Sequence, residues 1–138
     1  MKDVRILIAE DDYTSRKFLQ RFLSRYGECD LVVDGMEAVE AFVMSLESGT
    51  PYDLVCLDIM MPTVDGLTAL KTLRQLELQR QLPESKRARI IMTTALDAVE
   101  RVNEAFGAGA SGYAVKPIDT DRMTEVLRKL GLMLDITV

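Results

Sequence analysis

The sequence predicts an α/β domain in which a doubly wound, mostly parallel sheet carries helices on both faces. Three observations support this. Five short apolar runs recur along the 138 residues, and several are apolar throughout, as strands covered on both faces must be. The segments between them space their apolar residues as helices do. The two patterns alternate strictly, strand then helix five times, and right-handed crossovers that lay helices on the sheet accommodate that order.

The first run, VRILIA (4–9), ends in three acids, Glu10, Asp11 and Asp12. Phe18, Leu19, Phe22, Leu23 and Tyr26 then form a helical stripe, with Asp12 placed to cap it. CDLVV (29–33) is the second strand, and Ala38, Val39, Phe42, Val43 and Leu46 mark the second helix. The third run, DLVCLDIM (53–60), precedes Leu67, Leu70, Leu73 and Leu76. RIIMTTA (89–95) is the fourth strand, and the helix after it opens with Asp97 and Glu100 at nearly capping-box spacing. YAVKP (113–117) is the fifth, followed by an Asp119 cap and a face of Met123, Val126, Leu127, Leu130 and Leu134.

Two stretches need separate comment. GAGASG (107–112) spells the glycine pattern of a dinucleotide loop. Such a loop follows a strand and opens a helix, whereas these glycines follow a helix and precede a strand. They read as helix termination, with Gly107 or Gly109 closing the fourth helix. The connections SLESGTPYD (45–53) and ELQRQLPESKRAR (77–89) look long. Lys86, Arg87 and Arg89 in the second read as a solvated basic loop, with a partner-docking patch as the alternative.

Length and composition suit a single soluble domain over residues 1–138, with 48% hydrophobic and 28% charged residues. The apolar run Val4 to Ala9 is too short for a signal peptide or a membrane span, so a cytoplasmic location is expected. Cys29 and Cys56 lie in apolar runs and read as buried, reduced thiols. A net charge of −5 argues against direct nucleic-acid binding. The chain has no histidine, which excludes a Ser-His-Asp triad, a Cys-His pair and a phosphohistidine of its own. Chemistry here must use carboxylates, Lys, Thr/Ser or a bound cation.

In an open parallel sheet, ligands bind at the carboxyl ends of the strands. Those ends carry Glu10-Asp11-Asp12, Asp58, Thr93-Thr94 and Lys116. Three consecutive acids exceed what one helix cap requires, and Asp58 interrupts an apolar run where an unpaired carboxylate would be costly. Two carboxylates ~4 Å apart repel by about 4 kcal/mol at an effective dielectric near 20. A hard divalent cation removes that cost, and oxygen ligands without His or Cys select Mg²⁺ or Mn²⁺. A cation, a carboxylate nucleophile, an ammonium and a hydroxyl together suit phosphoryl transfer to Asp.

ILIAEDD, LDIMMPTVDG, IIMTTA and GASGYAVKP, in that order, make the chain similar to the receiver domains of two-component response regulators from about Val4 to Leu134. The resemblance implies a flavodoxin-like (βα)5 fold with sheet order 2-1-3-4-5, in a stand-alone form like the chemotaxis regulators. It implies Asp58 as phosphoacceptor, with Glu10, Asp11, Asp58 and the backbone carbonyl of Met60 around Mg²⁺, Glu10 acting through water. Asp11-Asp12 is the other register of the acidic triple; Glu10-Asp11 is preferred because it places Arg16 and the first helical stripe in the family's register. Thr94 matches the switch hydroxyl, since it precedes the small Ala95, whose backbone N–H would face the phosphoryl group. Lys116 matches the phosphate-binding lysine, ahead of an expected cis Lys116-Pro117 bond, and Tyr113 matches the aromatic switch.

The implied function is a switch. A partner histidine kinase or phosphotransfer domain phosphorylates Asp58, and the face of the fourth helix, fifth strand and fifth helix then changes for a protein target. The chain would work as a monomer or as a phosphorylation-dependent dimer, with no membrane contact, catalysing only its own phosphorylation and dephosphorylation. Met60 and Leu96, which flank the family's route for hydrolytic water, are apolar and bulky and imply slow self-dephosphorylation. Three other readings compete. A flavodoxin-like nucleotide or flavin binder would want a Gly/Ser/Thr phosphate loop after the first strand, where Glu10, Asp11 and Asp12 stand. A pseudo-receiver would bind partners without phosphorylation. A haloacid-dehalogenase-type hydrolase would want an acid two residues after Asp58, where Met60 stands. No output domain is visible in these residues, which fit a stand-alone receiver or one taken from a longer regulator or hybrid kinase.

Overall fold

The computed structural model describes residues 4–95 and 100–131. Strands β1 (Val4–Ala9), β2 (Gly27–Val32), β3 (Leu54–Asp58), β4 (Arg89–Thr94) and β5 (Gly112–Val115) form one parallel sheet in the order β2-β1-β3-β4-β5. Helices α1 (Tyr13–Leu23), α2 (Gly35–Glu47), α3 (Gly66–Gln79), α4 (Val102–Gly107) and α5 (Thr120–Lys129) follow the strands in turn. Strand order reverses at β1, which pairs with both β2 and β3. The crevice beyond the carboxyl ends of β1 and β3 is therefore the topological binding position of the fold.

Side chains alternate across each strand, so the central strands β1, β3 and β4 feed two cores. Ile6, Ile8, Cys56, Ile91 and Ala114 pack against Leu19, Phe22 and Leu23 of α1 and Met123 and Leu127 of α5. Leu7, Ala9, Val55, Leu57, Ile90 and Met92 pack against Phe42 of α2, Leu70 and Leu73 of α3 and Ala105 of α4. The same parity continues to the strand ends. It places Asp58, Thr93, Glu10 and Lys116 on the α1/α5 side, and Thr94 and Tyr113 on the side of α2, α3 and α4.

Helix starts are set locally by aspartates. Asp12, Asp34, Asp65 and Asp119 each accept a hydrogen bond from the backbone N–H three residues on, at Ser15, Glu37, Thr68 and Arg122. A cap of this kind stabilises by about 1 kcal/mol. The helix ends differ in places from the sequence reading. α1 stops at Leu23, and Tyr26 follows a turn in which its N–H bonds the Leu23 carbonyl. Its ring still covers Phe22 at 5.9 Å, which explains why it falls in the apolar stripe. The two connections that look long are shortened by helix, since α2 reaches Glu47, α3 reaches Gln79 and Glu84–Lys86 forms a 3-10 turn. Gly107 is the last residue of α4, and Gly109 turns the chain with φ +106, a conformation that suits glycine. Cys56 is buried, whereas Cys29 is only half-buried. Asp97 and Leu134 lie outside the described residues.

Gly66 packs against the backbone at the end of β3. A Cβ on it would stand 1.9 Å from the carbonyl oxygen of Asp58, and its own N–H bonds the Ile59 carbonyl at 2.9 Å. The DG pair in LDIMMPTVDG thus has two separate physical roles: Asp65 caps α3, and Gly66 lets α3 start against the backbone of Asp58. Gly66→Ala should destabilise the domain by about 1–3 kcal/mol, the usual cost of overpacking a close-packed interior, as a thermal melt would measure.

Candidate functional site

Glu10, Asp11 and Asp58 meet at the switch point. Each offers a carboxylate oxygen, and these oxygens all lie within 4.8 Å of one another. Glu10 and Asp58 are buried, at 0% and 3% exposure, while Asp11 opens to solvent. Lys116 reaches in from the end of β5, with Nζ 2.6 Å from Glu10 Oε1 and 3.0 Å from Asp58 Oδ2. Asp58 Oδ1 accepts the N–H of Met60 at 3.2 Å. Three carboxylates thus face a single ammonium.

Asp12 takes no part in this cluster. Its carboxylate accepts the backbone N–H and the hydroxyl of Ser15, at 3.3 and 2.5 Å, and these bonds hold its pKa below the usual range. Of the two registers of the acidic triple, the structure gathers Glu10-Asp11 and leaves Asp12 as a cap. Glu10 is held on every side. Its N–H bonds the Val32 carbonyl, its carbonyl accepts Arg16 Nη1 at 2.9 Å, and its Oε2 accepts the hydroxyl of Thr93 at 3.0 Å.

Burial pushes the Glu10 carboxyl up to about 8, helped by neighbouring Asp58, against the opposing pull of Lys116. Asp11 is raised for the same reasons, burial first and then Asp58. Burial draws Lys116 down, but the carboxylates of Glu10 and Asp58 outweigh it and leave its pKa raised. For Glu10, the folded state therefore holds a proton that the unfolded chain releases near its ordinary value of 4.5. Stability from this group is complete below that value and is lost as pH rises towards 8. In a chelator, the melting temperature should fall from pH 5 to pH 8, and Glu10→Gln should flatten that slope.

The remaining residues singled out by sequence lie on the other side of β4 and β5. Thr94 is fully buried, and its hydroxyl donates to the Ala95 carbonyl at 3.1 Å. Tyr113 is 40% exposed on the edge strand, its ring set edge-on to Phe106 at a 6.0 Å centroid distance. The Met60 side chain is largely exposed, and its sulfur accepts Arg101 Nη1 at 3.3 Å. Arg101 also pairs with Asp65 at 3.4 Å, so it links α4 to the loop after β3. Leu96 lies outside the described residues. The Lys116-Pro117 peptide bond is cis. Beside it, a cavity of about 370 Å³ runs between Asp12, Ser15 and Phe18 and the segment Lys116 to Ile118.

Sequence reasoning set Thr93 aside in favour of Thr94 and passed over Arg101. The signal for Thr93 was a hydroxyl directly after the apolar run Ile90–Met92, opposite Asp58 in the β3–β4 register. Nothing local distinguishes Arg101 from any surface arginine.

The family model for the response regulator receiver domain matches residues 6–128. The chain belongs to the response regulator receiver family. It is 37% identical over 128 residues to the chemotaxis protein CheY of Bacillus subtilis, covering 91% of this chain and 95% of that protein. It is 33% identical to hybrid signal transduction histidine kinase L of Dictyostelium discoideum, over 92% of this chain but only 7% of the kinase. Among solved structures, a chain of the CheX-CheY-BeF3-Mg+2 complex from Borrelia burgdorferi superposes with a TM-score of 0.75 at 29% identity, covering 93% of this chain and 89% of that one. The receiver domain of a Pseudomonas aeruginosa sensor histidine kinase, with a magnesium ion in its active site cleft, gives 0.72 at 26% identity, covering 94% and 99%. Receiver domains are signalling switches of two-component systems that interact with histidine kinases or phosphotransfer proteins, and they bind Mg²⁺ at an acidic pocket. Among the described residues, no helix is long and apolar enough to cross a membrane.

Proposed function

We propose that this receiver is a phosphoryl-accepting switch in which Asp58 takes the phosphoryl group. The observation behind this reading is the convergence of Asp58 with Glu10, Asp11 and Lys116 at the switch point of the sheet. The donor set of carboxylate oxygens without His or Cys fits Mg²⁺ or Mn²⁺, which Glu10, Asp11 and Asp58 would hold, with the Met60 carbonyl as the further ligand that the family resemblance implies. Such a cation supplies neutralisation of the negative charge that gathers during phosphoryl transfer.

The protein's own groups do the rest. A carboxylate oxygen of Asp58 bonds to phosphorus as the P–N bond of a phosphohistidine breaks, and the imidazole leaves. The histidine belongs to a kinase or phosphotransfer domain, because these 138 residues contain none. Lys116, already 3.0 Å from Asp58, accompanies the incoming phosphoryl oxygens as an ammonium. The Thr94 hydroxyl, which donates to the Ala95 carbonyl on the far side of β4 from Asp58, turns toward the phosphoryl group as the stronger acceptor, with the Ala95 N–H beside it. Thr94 shares its side of the sheet with Tyr113, so its movement is transmitted toward Phe106 and α4. The phosphoryl group shifts this balance by the difference in its interactions with the two arrangements. The output face is that of α4, β5 and α5, where a cavity of about 360 Å³ opens between Phe106, Tyr113 and Val126.

The test is incubation with Mg²⁺ and acetyl phosphate, followed by mass spectrometry. A single phosphoryl increment is expected, lost in Asp58→Asn and persisting for minutes or longer in the wild type. An increment unchanged in Asp58→Asn would place the acceptor elsewhere and overturn the assignment of Asp58, and none in the wild type would favour a pseudo-receiver instead. Disappearance within seconds would overturn slow self-dephosphorylation alone.

A further inference from the structure

We propose that Thr93 is a positioning residue for the cation site, acting through Glu10. The proposal rests on the reading of Glu10 as part of that site. Glu10 has no solvent contact, so the protein alone decides where its carboxylate points. Its two oxygens are held by different partners. Oε1 accepts Lys116 Nζ at 2.6 Å and, more weakly, the Asp12 N–H at 3.4 Å. Oε2 accepts Thr93 Oγ1 at 3.0 Å. Lys116 alone would leave the carboxylate free to rotate about that contact, and the hydroxyl on the far oxygen fixes its plane.

The fold makes this contact available for a specific reason. Asp58 pairs with Thr93 in the β3–β4 register, and β1 runs beside β3 with Ala9 opposite Leu57. Glu10, one step beyond Ala9, therefore reaches across the end of β3 toward Thr93 on the same side of the sheet. The chain turns out of β1 at Glu10, and the extra methylene of Glu relative to Asp supplies the reach. An apolar residue at 93 would leave Oε2 buried without this donor, and a buried acceptor deprived of its partner is unfavourable. Partners that orient metal ligands in this way typically contribute ~10- to 100-fold to metal affinity.

The experiment is calorimetric titration of the whole chain with Mg²⁺, repeated with Mn²⁺, with a thermal melt of each variant to show that it is folded. Thr93→Val keeps the β-branched shape and removes the hydroxyl; about 10-fold weaker binding is expected. Thr93→Ser restores the hydroxyl and should recover most of the affinity, which a packing role would not predict. Thr93→Ala serves the same purpose should the valine variant fail to fold. In a Glu10→Gln background, adding Thr93→Val should have no further effect, because the hydroxyl acts through the carboxylate. Wild-type affinity in Thr93→Val, or equal losses with and without Glu10, would overturn the proposal while leaving the cation site in place. Absence of Mg²⁺ and Mn²⁺ binding by the wild type would instead overturn the reading of the site, and this inference with it.

Discussion

Chelation of divalent cations should suppress phosphoryl uptake from acetyl phosphate by at least ~100-fold. Asp11→Ala should cause a loss of similar size with Mg²⁺ present. The magnitude follows from charge. Glu10, Asp11 and Asp58 bring three carboxylates together against one ammonium, and an incoming phosphoryl group adds more negative charge. Removing several kcal/mol of neutralisation from the transition state corresponds to two or more powers of ten in rate. Asp11 is the informative variant because it is the exposed member of the cluster and makes no cap. Its loss should spare the fold, so that thermal stability in chelator stays near that of the wild type. Rates within a fewfold of wild type for Asp11→Ala would remove it from the site, and a chelator-insensitive reaction would remove the cation.

Glu77→Ala should destabilise the domain by about 3–5 kcal/mol, the usual cost of leaving a buried charge without its partner. Glu77 is 1% exposed at the end of α3. Its Oε1 pairs with Arg74 at 2.7 Å, and its Oε2 accepts the Ala88 N–H at 2.7 Å. Arg74 in turn donates to the carbonyls of Ala88 and Gly109. One acid thus ties the third helix, the entry to β4 and the turn after α4. For a domain of this size the melting temperature should drop by roughly 10 °C. Glu77→Gln, which keeps one acceptor oxygen, should lose less. A loss under about 1 kcal/mol for the alanine variant would show that the cluster is solvent-screened, as surface pairs are.

Glu77 also shows where sequence reading stops. It lies in a stretch that reads as the start of a polar loop, and its burial depends on Ala88 and Arg74 arriving from elsewhere. The basic run Lys86, Arg87, Arg89 is partly absorbed in the same way, since Arg87 donates to the Leu82 carbonyl. By contrast, the strands, the helical stripes and the Asp12 and Asp119 caps were legible because each depends on neighbours a few residues away. Periodicities of 2 and 3.6 and an acceptor at the N-cap are local physics.

The acidic triple divides along the same line. Asp12 bonds a residue three positions on, so its capping role is written in the order of residues. Glu10 is held by Thr93 and Lys116, 83 and 106 positions away. The alternation of strand and helix, the absence of histidine and the gathering of acids, hydroxyl and lysine at strand ends came from the sequence by itself. The tertiary structure decided which acids meet, because the β1–β3–β4 register brings those ends together. It also decided which threonine faces Glu10, because side chains alternate along β4: Thr93 points to the α1/α5 side and Thr94 to the other.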